Sequence, residues 1–86
     1  MTVKFHGNIV EFTGGATSCG IDDCADVCAL IDKLGLLFGE AFCDILNDGD
    51  TCFFLINGKG LMQTGGPESR LAPGDIVDIL PFVEAG

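Results

Sequence analysis

The chain has 86 residues, of which 48% are apolar, so we expect one folded domain with a single modest core. Its 13 Asp and Glu residues outnumber four Lys and Arg residues and give a formal net charge of −9, which argues against nucleic acid as a partner and favours basic proteins. Because there is no apolar run of membrane-spanning length and no signal-peptide pattern, we expect a cytoplasmic protein that does not bind membranes.

The five cysteines are numerous for a chain of this length. Their number is odd and the expected compartment is reducing, so we do not expect a disulfide framework. Cys24 and Cys28 are spaced so that they are predicted to share one face of a helix, and Cys43 and Cys52 stand within apolar runs. Free cysteine packs as a small apolar residue, so core packing is the first interpretation for most of them.

The first part of the chain predicts two strands with a short element between them. Residues 2–6 alternate between polar and apolar side chains, which favours a strand, and residues 16–21 predict a second one. Residues 8–13 fit either a short helical turn ended by Gly14 or the return strand of a hairpin.

A helix is predicted next, and its N-terminal cap is expected to be Asp22 or Asp23. Gly35 is expected to end this helix in the left-handed conformation, and residues 39–46 predict a second, short helix. The spacing of the apolar side chains is typical of a helix with one buried face. The residues of this stripe are Cys24, Val27, Leu30, Ile31 and Leu34.

The second half predicts three strands. Residues 51–56 are apolar almost throughout and predict a central strand that is covered on both faces. A turn follows, and then residues 61–64 predict a short strand, with a polar loop after it. Residues 75–80 predict the last strand, and Pro81 is expected to end its pairing because proline has no N–H to donate.

These elements predict an α+β fold, with a mixed sheet of about five strands and one main helix on one face. The predicted domain covers residues 1–81, and residues 82–86 form a flexible C-terminal tail. The tail ends in Gly86, whose α-carboxylate is unhindered and could enter a narrow active site. A frayed terminus without a function is the alternative interpretation.

At this point the sequence resembles the small subunit of molybdopterin synthase, a ubiquitin-like β-grasp protein. Residues 47–57 resemble the middle of that family, and residues 71–81 are similar to its Leu-x-x-Gly-Asp-x-Val element and the strand that continues into the tail. The chain departs from the family in ending with Ala85-Gly86 instead of Gly-Gly and in having Phe82 where a second proline is usual. Residues 3–14 resemble its opening, which favours the helical turn, with matches at Phe5, Ile9, Glu11, Thr13 and Gly14.

The resemblance implies sulfur carriage. Gly86 would be adenylated by an activating enzyme that uses ATP and magnesium, and a sulfur donor would convert the acyl-adenylate into a thiocarboxylate. The large subunit of molybdopterin synthase would bind Ala85 in its tunnel and would dock on Leu61, Leu80 and Phe82. The small protein would bind no cofactor and would be a non-catalytic sulfur-donor subunit rather than a stand-alone enzyme.

Several alternatives stay open. The spacing of Cys19, Cys24 and Cys28 is within one residue of the plant-type iron–sulfur pattern, but Cys28 falls inside the predicted helix. A zinc site formed by His6 with Cys24 and Cys28 lacks the usual paired spacings. We therefore predict no bound metal. Within the same fold, a thiamine-pathway sulfur carrier and a protein modifier conjugated to lysines share the activation chemistry.

Overall fold

The computed structural model describes residues 1–22, 24–48 and 51–82. Five strands form one sheet in the order β2-β1-β5-β3-β4, in which β1 and β5 are parallel and the other neighbours are antiparallel. This confirms the predicted mixed sheet and the α+β β-grasp class. The strands are β1 (Thr2–Phe5), β2 (Ser18–Gly20), β3 (Cys52–Ile56), β4 (Lys59–Gly60) and β5 (Ile76–Pro81).

Two α-helices, α1 (Val27–Phe38) and α2 (Glu40–Leu46), pack on the face of the sheet that carries Val77 and Ile79. The core lies between the two layers, and both of these β5 side chains are fully buried within it. None of the helices within the described ranges has the length and apolarity needed to cross a membrane.

The predicted stripe of α1 is confirmed, because Val27, Leu30, Ile31 and Leu34 are all buried. Both predicted ends of this helix were wrong. The helix begins after Asp26, whose side chain accepts a hydrogen bond of 2.9 Å from the amide of Ala29. Cys24 is buried in the segment before α1 and does not share a helix face with Cys28.

Gly35 does not end α1, which continues to Phe38 and stops before Gly39. A Cβ atom on Gly35 would lie 2.8 Å from the Cβ of Cys43. The glycine is therefore needed because α2 packs closely against this turn of α1, and it does not serve as a left-handed cap.

The helical alternative for residues 8–13 is the correct one. A 3₁₀-helix covers Gly7–Thr13, and the left-handed Gly14 follows it with a φ of 69°. The buried Thr13 hydroxyl lies 3.0 and 2.6 Å from the carbonyl oxygens of Val10 and Ala16. These side-chain hydrogen bonds stabilise the turn and return the chain to the sheet.

The strand predicted for residues 61–64 is wrong. The chain forms a second 3₁₀-helix, Leu61–Gln63, and a third one follows at Gly66–Glu68. Two side chains favour the turn over a strand. The Thr64 hydroxyl donates to the carbonyl of Leu61 at 2.8 Å, and the amide of Gly60 donates to Oε1 of Gln63 at 3.3 Å.

Pro81 does not end the pairing of β5, which also corrects the sequence analysis. Pro81 stands opposite Cys52, and the amide of Phe82 donates to the carbonyl of Thr51 at 3.2 Å. This geometry makes Cys52 and Pro81 a non-hydrogen-bonded pair of the antiparallel ladder. Since this position requires no N–H toward β3, the proline is accommodated.

Candidate functional site

The candidate site is on the outer face of the sheet, opposite the helices. Side chains alternate between the two faces of a strand, so Leu80 and Phe82 point away from the core that buries Ile79. Phe53 on β3 stands directly opposite Leu80, and its ring centroid lies 5.0 Å from that of Phe82. We call Phe53, Leu80 and Phe82 the outer apolar cluster.

The structure brings two of the predicted docking residues together and places the third beside them. Phe82 is 50% exposed, and Leu80 is partly exposed. Leu61 packs in part against the core and begins the second 3₁₀-helix. Leu61 and Phe82 also line a shared groove. The predicted tunnel residue Ala85 and the predicted reacting residue Gly86 lie outside the described residues.

Phe53 was missed by the sequence analysis, although a signal for it existed. Residues 51–56 were predicted to need cover on both faces because the strand is apolar throughout. In the structure α1 and α2 cover one face, where Phe54 is buried, while Phe53 and Leu55 on the other face are partly exposed. An apolar outer face on β3 is typical of a surface that another protein covers.

A polar pair borders the outer apolar cluster. Nε2 of His6 lies 2.8 Å from Oδ1 of Asp78, and both side chains are partly exposed. Lys4 on β1 stands beside Asp78 in the parallel ladder, on the same face of the sheet. A docked partner would therefore meet an apolar centre with a polar, charged rim, as protein interfaces usually have.

The cysteines of the iron–sulfur alternative are separated in the fold. Cys19 is on β2, Cys24 is buried before α1, and Cys28 is exposed in the first turn of α1. The position of Cys28 in the helix agrees with the sequence analysis. Burial raises the pKa of the Cys19 thiol, which disfavours the thiolate that ligates metals. Among the described residues, no group of three or more His, Cys, Asp or Glu side chains could hold a metal ion.

The sheet order, the parallel β1–β5 pair and the helices on one face define a ubiquitin-like β-grasp fold, the fold of small sulfur-carrier proteins. The chain belongs to the ThiS family, whose family model matches residues 3–86. No curated protein matches the chain in sequence.

Solved structures show the same fold over nearly the whole chain. A chain of the Amycolatopsis orientalis BexX/CysO complex superposes with a TM-score of 0.82 at 24% identity, covering 99% of this chain and 98% of that one. SAMP1 from Haloferax volcanii gives a TM-score of 0.74 at 22% identity, with 99% and 97% covered. A putative molybdopterin converting factor subunit 1 from Pyrococcus furiosus gives 0.70 at 21% identity, with 95% of both chains covered.

Proposed function

We propose that this protein is a sulfur carrier for molybdopterin biosynthesis. An activating enzyme uses ATP and Mg²⁺ to convert the carboxylate of Gly86 into an acyl-adenylate with release of pyrophosphate. A sulfide equivalent then attacks the acyl carbon, the bond to the phosphate oxygen breaks, AMP leaves, and a thiocarboxylate remains. The thiocarboxylate delivers its sulfur to a pterin precursor held by the large subunit of molybdopterin synthase.

The observation that carries the proposal is the position of Phe82, the last described residue, within the outer apolar cluster. β5 lies between β1 and β3, and the amide of Phe82 is still bonded to Thr51. The outer apolar cluster therefore stands directly before the last four residues of the sequence. Four residues span at most about 14 Å, so a partner that docks on the cluster would have its reactive centre within that distance of Phe82.

The chemistry requires little of the small domain itself. Adenylation replaces a poor leaving group by AMP, and glycine places no side chain beside the acyl carbon that sulfide attacks. We propose that ATP and Mg²⁺ bind to the activating enzyme, that the catalytic side chains belong to the partners, and that this protein binds no metal. Stoichiometric zinc or iron in the purified protein, measured by elemental analysis, would contradict the last point.

The proposed reaction is tested by intact mass after incubation with an activating enzyme, ATP, Mg²⁺ and sulfide. We expect a mass increase that corresponds to the replacement of one oxygen by sulfur. Deleting Gly86 or adding one residue after it should abolish loading, whereas Ala85→Gly should maintain or increase it because the family tail is Gly-Gly. The urea midpoint of each variant serves as the folding control. Equal loading of the extended protein would refute the assignment of Gly86.

Docking is tested separately with matched surface variants. Phe82→Ala removes half-exposed apolar surface from the outer apolar cluster, and Leu36→Ala removes 88% exposed apolar surface from α1. Phe82→Ala should weaken binding to the large subunit at least tenfold, as loss of an aromatic anchor does, and Leu36→Ala should have little effect. Equal effects of the two variants would contradict docking through the cluster.

The proposal that the sulfur enters molybdopterin biosynthesis goes a step further than sulfur carriage itself. It is supported by the sequence resemblance and by the fold shared with the Pyrococcus furiosus protein. Loaded protein should yield molybdopterin when it is mixed with the large subunit and the pterin precursor. Loading without this product would leave a sulfur carrier that serves another acceptor, such as the thiamine pathway.

A further inference from the structure

Few charged side chains stand on the sheet of this acidic protein. Within the described ranges the strands carry only Lys4, Lys59 and Asp78, whereas every other described Asp or Glu lies on a helix, a 3₁₀-helix or a connecting segment. The net charge of −9 is therefore not shared by the sheet face that bears the outer apolar cluster. A partner that docks on this face meets a local charge that differs from the charge of the whole protein.

The register between β1 and β5 places Lys4 close to the outer apolar cluster. Lys4 stands beside Asp78 in the parallel ladder. Two residues further along, the amide of His6 donates to the carbonyl of Ile79 at 3.1 Å, so His6 stands beside Leu80. A shift of two residues along a strand and one strand across the sheet corresponds to roughly 8 Å between Cα atoms. The long side chain of Lys4 can therefore reach the border of the cluster.

The ammonium group of Lys4 is available to a partner. Lys4 is exposed, and among the described residues its ammonium group forms no ion pair. Oδ1 of the neighbouring Asp78 lies 2.8 Å from Nε2 of His6 instead. Asp75, just before β5, accepts hydrogen bonds from a backbone amide and from a side-chain amide. Both carboxylates along this part of the chain thus have partners of their own, whereas the charge of Lys4 has none.

This arrangement favours an acidic side chain on the partner. A carboxylate placed over the β1 side of the cluster would attract Lys4, and the one strand carboxylate described there, that of Asp78, is already bonded to His6. A lysine or arginine in the same place would be repelled by Lys4. A second copy docked through the same face would bring another Lys4 and no additional carboxylate to pair with it. Charges at the rim of an interface select the partner, while the apolar centre anchors it.

We propose that the partner which docks on the outer apolar cluster carries an Asp or Glu side chain that pairs with Lys4. The inference rests on the proposed function, because it takes the cluster as the docking surface. It reverses, for this face, the expectation of a basic partner that follows from the net charge. Lys4 is then the residue that selects the partner by charge, and the apolar side chains of the cluster provide the anchor.

Three variants of Lys4 test the pairing, with affinity for the large subunit of molybdopterin synthase measured by isothermal titration calorimetry. Lys4→Gln removes the charge and should weaken binding about three- to fivefold, as expected for one ion pair at about 4–5 Å in water. Lys4→Glu reverses the charge and should weaken binding about ten- to twentyfold. Lys4→Arg keeps the charge and should bind nearly as well as the natural protein, which separates charge from side-chain packing.

The matched control is Lys59→Glu, which changes the net charge of the protein by the same amount as Lys4→Glu. Lys59 is also an exposed lysine on a strand, but it stands opposite the buried Ile56 and therefore lies on the other face of the sheet. This control should leave the affinity unchanged. Because Lys4→Glu places a second carboxylate beside Asp78, the urea midpoint of each variant is measured as the folding control.

Two results would overturn the inference and leave the proposed function in place. In the first, Phe82→Ala weakens binding but Lys4→Glu binds as well as the natural protein or better. In the second, Lys4→Glu and Lys59→Glu weaken binding equally, which would be an effect of net charge and not of a pair at Lys4. Absence of binding by the natural protein would instead refute the large subunit as the partner that docks on the cluster, and the inference with it.

Discussion

Replacing Gly35 by alanine tests why a glycine stands in the middle of α1. In an exposed helix interior this change would stabilise the protein by about 1 kcal/mol because alanine has the higher helix propensity. Here the new Cβ atom would lie 2.8 Å from the Cβ and 3.3 Å from the Sγ of Cys43 on α2. A separation below 3.0 Å between such atoms is not tolerated, so α1 and α2 must move apart.

The expected magnitude follows from two opposing terms. Overpacking of this kind costs about 1–3 kcal/mol, and the gain in propensity offsets about 1 kcal/mol of it. Separating the helices also weakens the edge-to-face contact of Phe38 with Phe42, whose ring centroids are 5.8 Å apart. We therefore expect Gly35→Ala to lower the free energy of unfolding by about 1–2 kcal/mol.

The second-site variants decide whether the contact with Cys43 is the cause. Cys43→Gly removes the Cβ atom that the alanine would strike, so the two changes together should be less destabilising than the sum of each alone. Cys43→Ala keeps that Cβ atom and removes only the more distant Sγ, so it should give clearly less relief. The favourable coupling energy with Cys43→Gly should be about 1–2 kcal/mol.

Urea unfolding followed by far-UV circular dichroism measures these effects, since the chain has no Trp or Tyr. A reductant keeps the five cysteines free. With an m-value near 1 kcal/mol/M, Gly35→Ala should lower the urea midpoint by about 1–2 M. A higher midpoint for Gly35→Ala, or strictly additive effects of Gly35→Ala and Cys43→Gly, would refute the close contact as the reason for the glycine.

Three further predictions concern the core, the thiols and the response to acid. Ile31→Ala should lower the free energy of unfolding by about 2–5 kcal/mol, because Ile31 is 6% exposed; an unchanged urea midpoint would contradict this. In the native protein iodoacetamide should modify the exposed Cys28 well before Cys52, whose pKa is raised by burial and by Asp48; peptide mass mapping gives the order. Hydrogen bonds from a backbone amide and then from a side-chain amide lower the pKa of Asp75. Its stabilising contribution is therefore present above about pH 4 and lost as the pH falls further, so Asp75→Asn should reduce the loss of stability in that range, measured by urea unfolding at each pH.

The periodicity of α1 could be predicted from sequence because one side of a helix must be apolar wherever the helix meets a sheet. Its ends could not. Asp22, Asp23 and Asp26 are all suitable caps, and only the fold shows that Asp26 accepts the amide of Ala29. A glycine within a helical pattern can mark either the end of the helix or a close approach of another helix. The sequence alone therefore did not show which of the two explains Gly35.

The residues of the candidate site were likewise predicted only in part. Phe82 was included because the family resemblance implied a docking residue there, and the structure shows that it is 50% exposed. Phe53 and Phe54 are adjacent residues of one type, and nothing local distinguishes them.

By itself the sequence determined four of the five strands, both α-helices, the inward stripe of α1 and the family, because these depend on local periodicity and on motif register. Tertiary structure alone decided that Phe54 is buried while Phe53 is partly exposed, that Pro81 stays in the sheet, and that β4 pairs with only two residues of β3. The physical reason is that cover and pairing are properties of two elements at once. They depend on which face the helices occupy and on the register between strands that are distant in the chain.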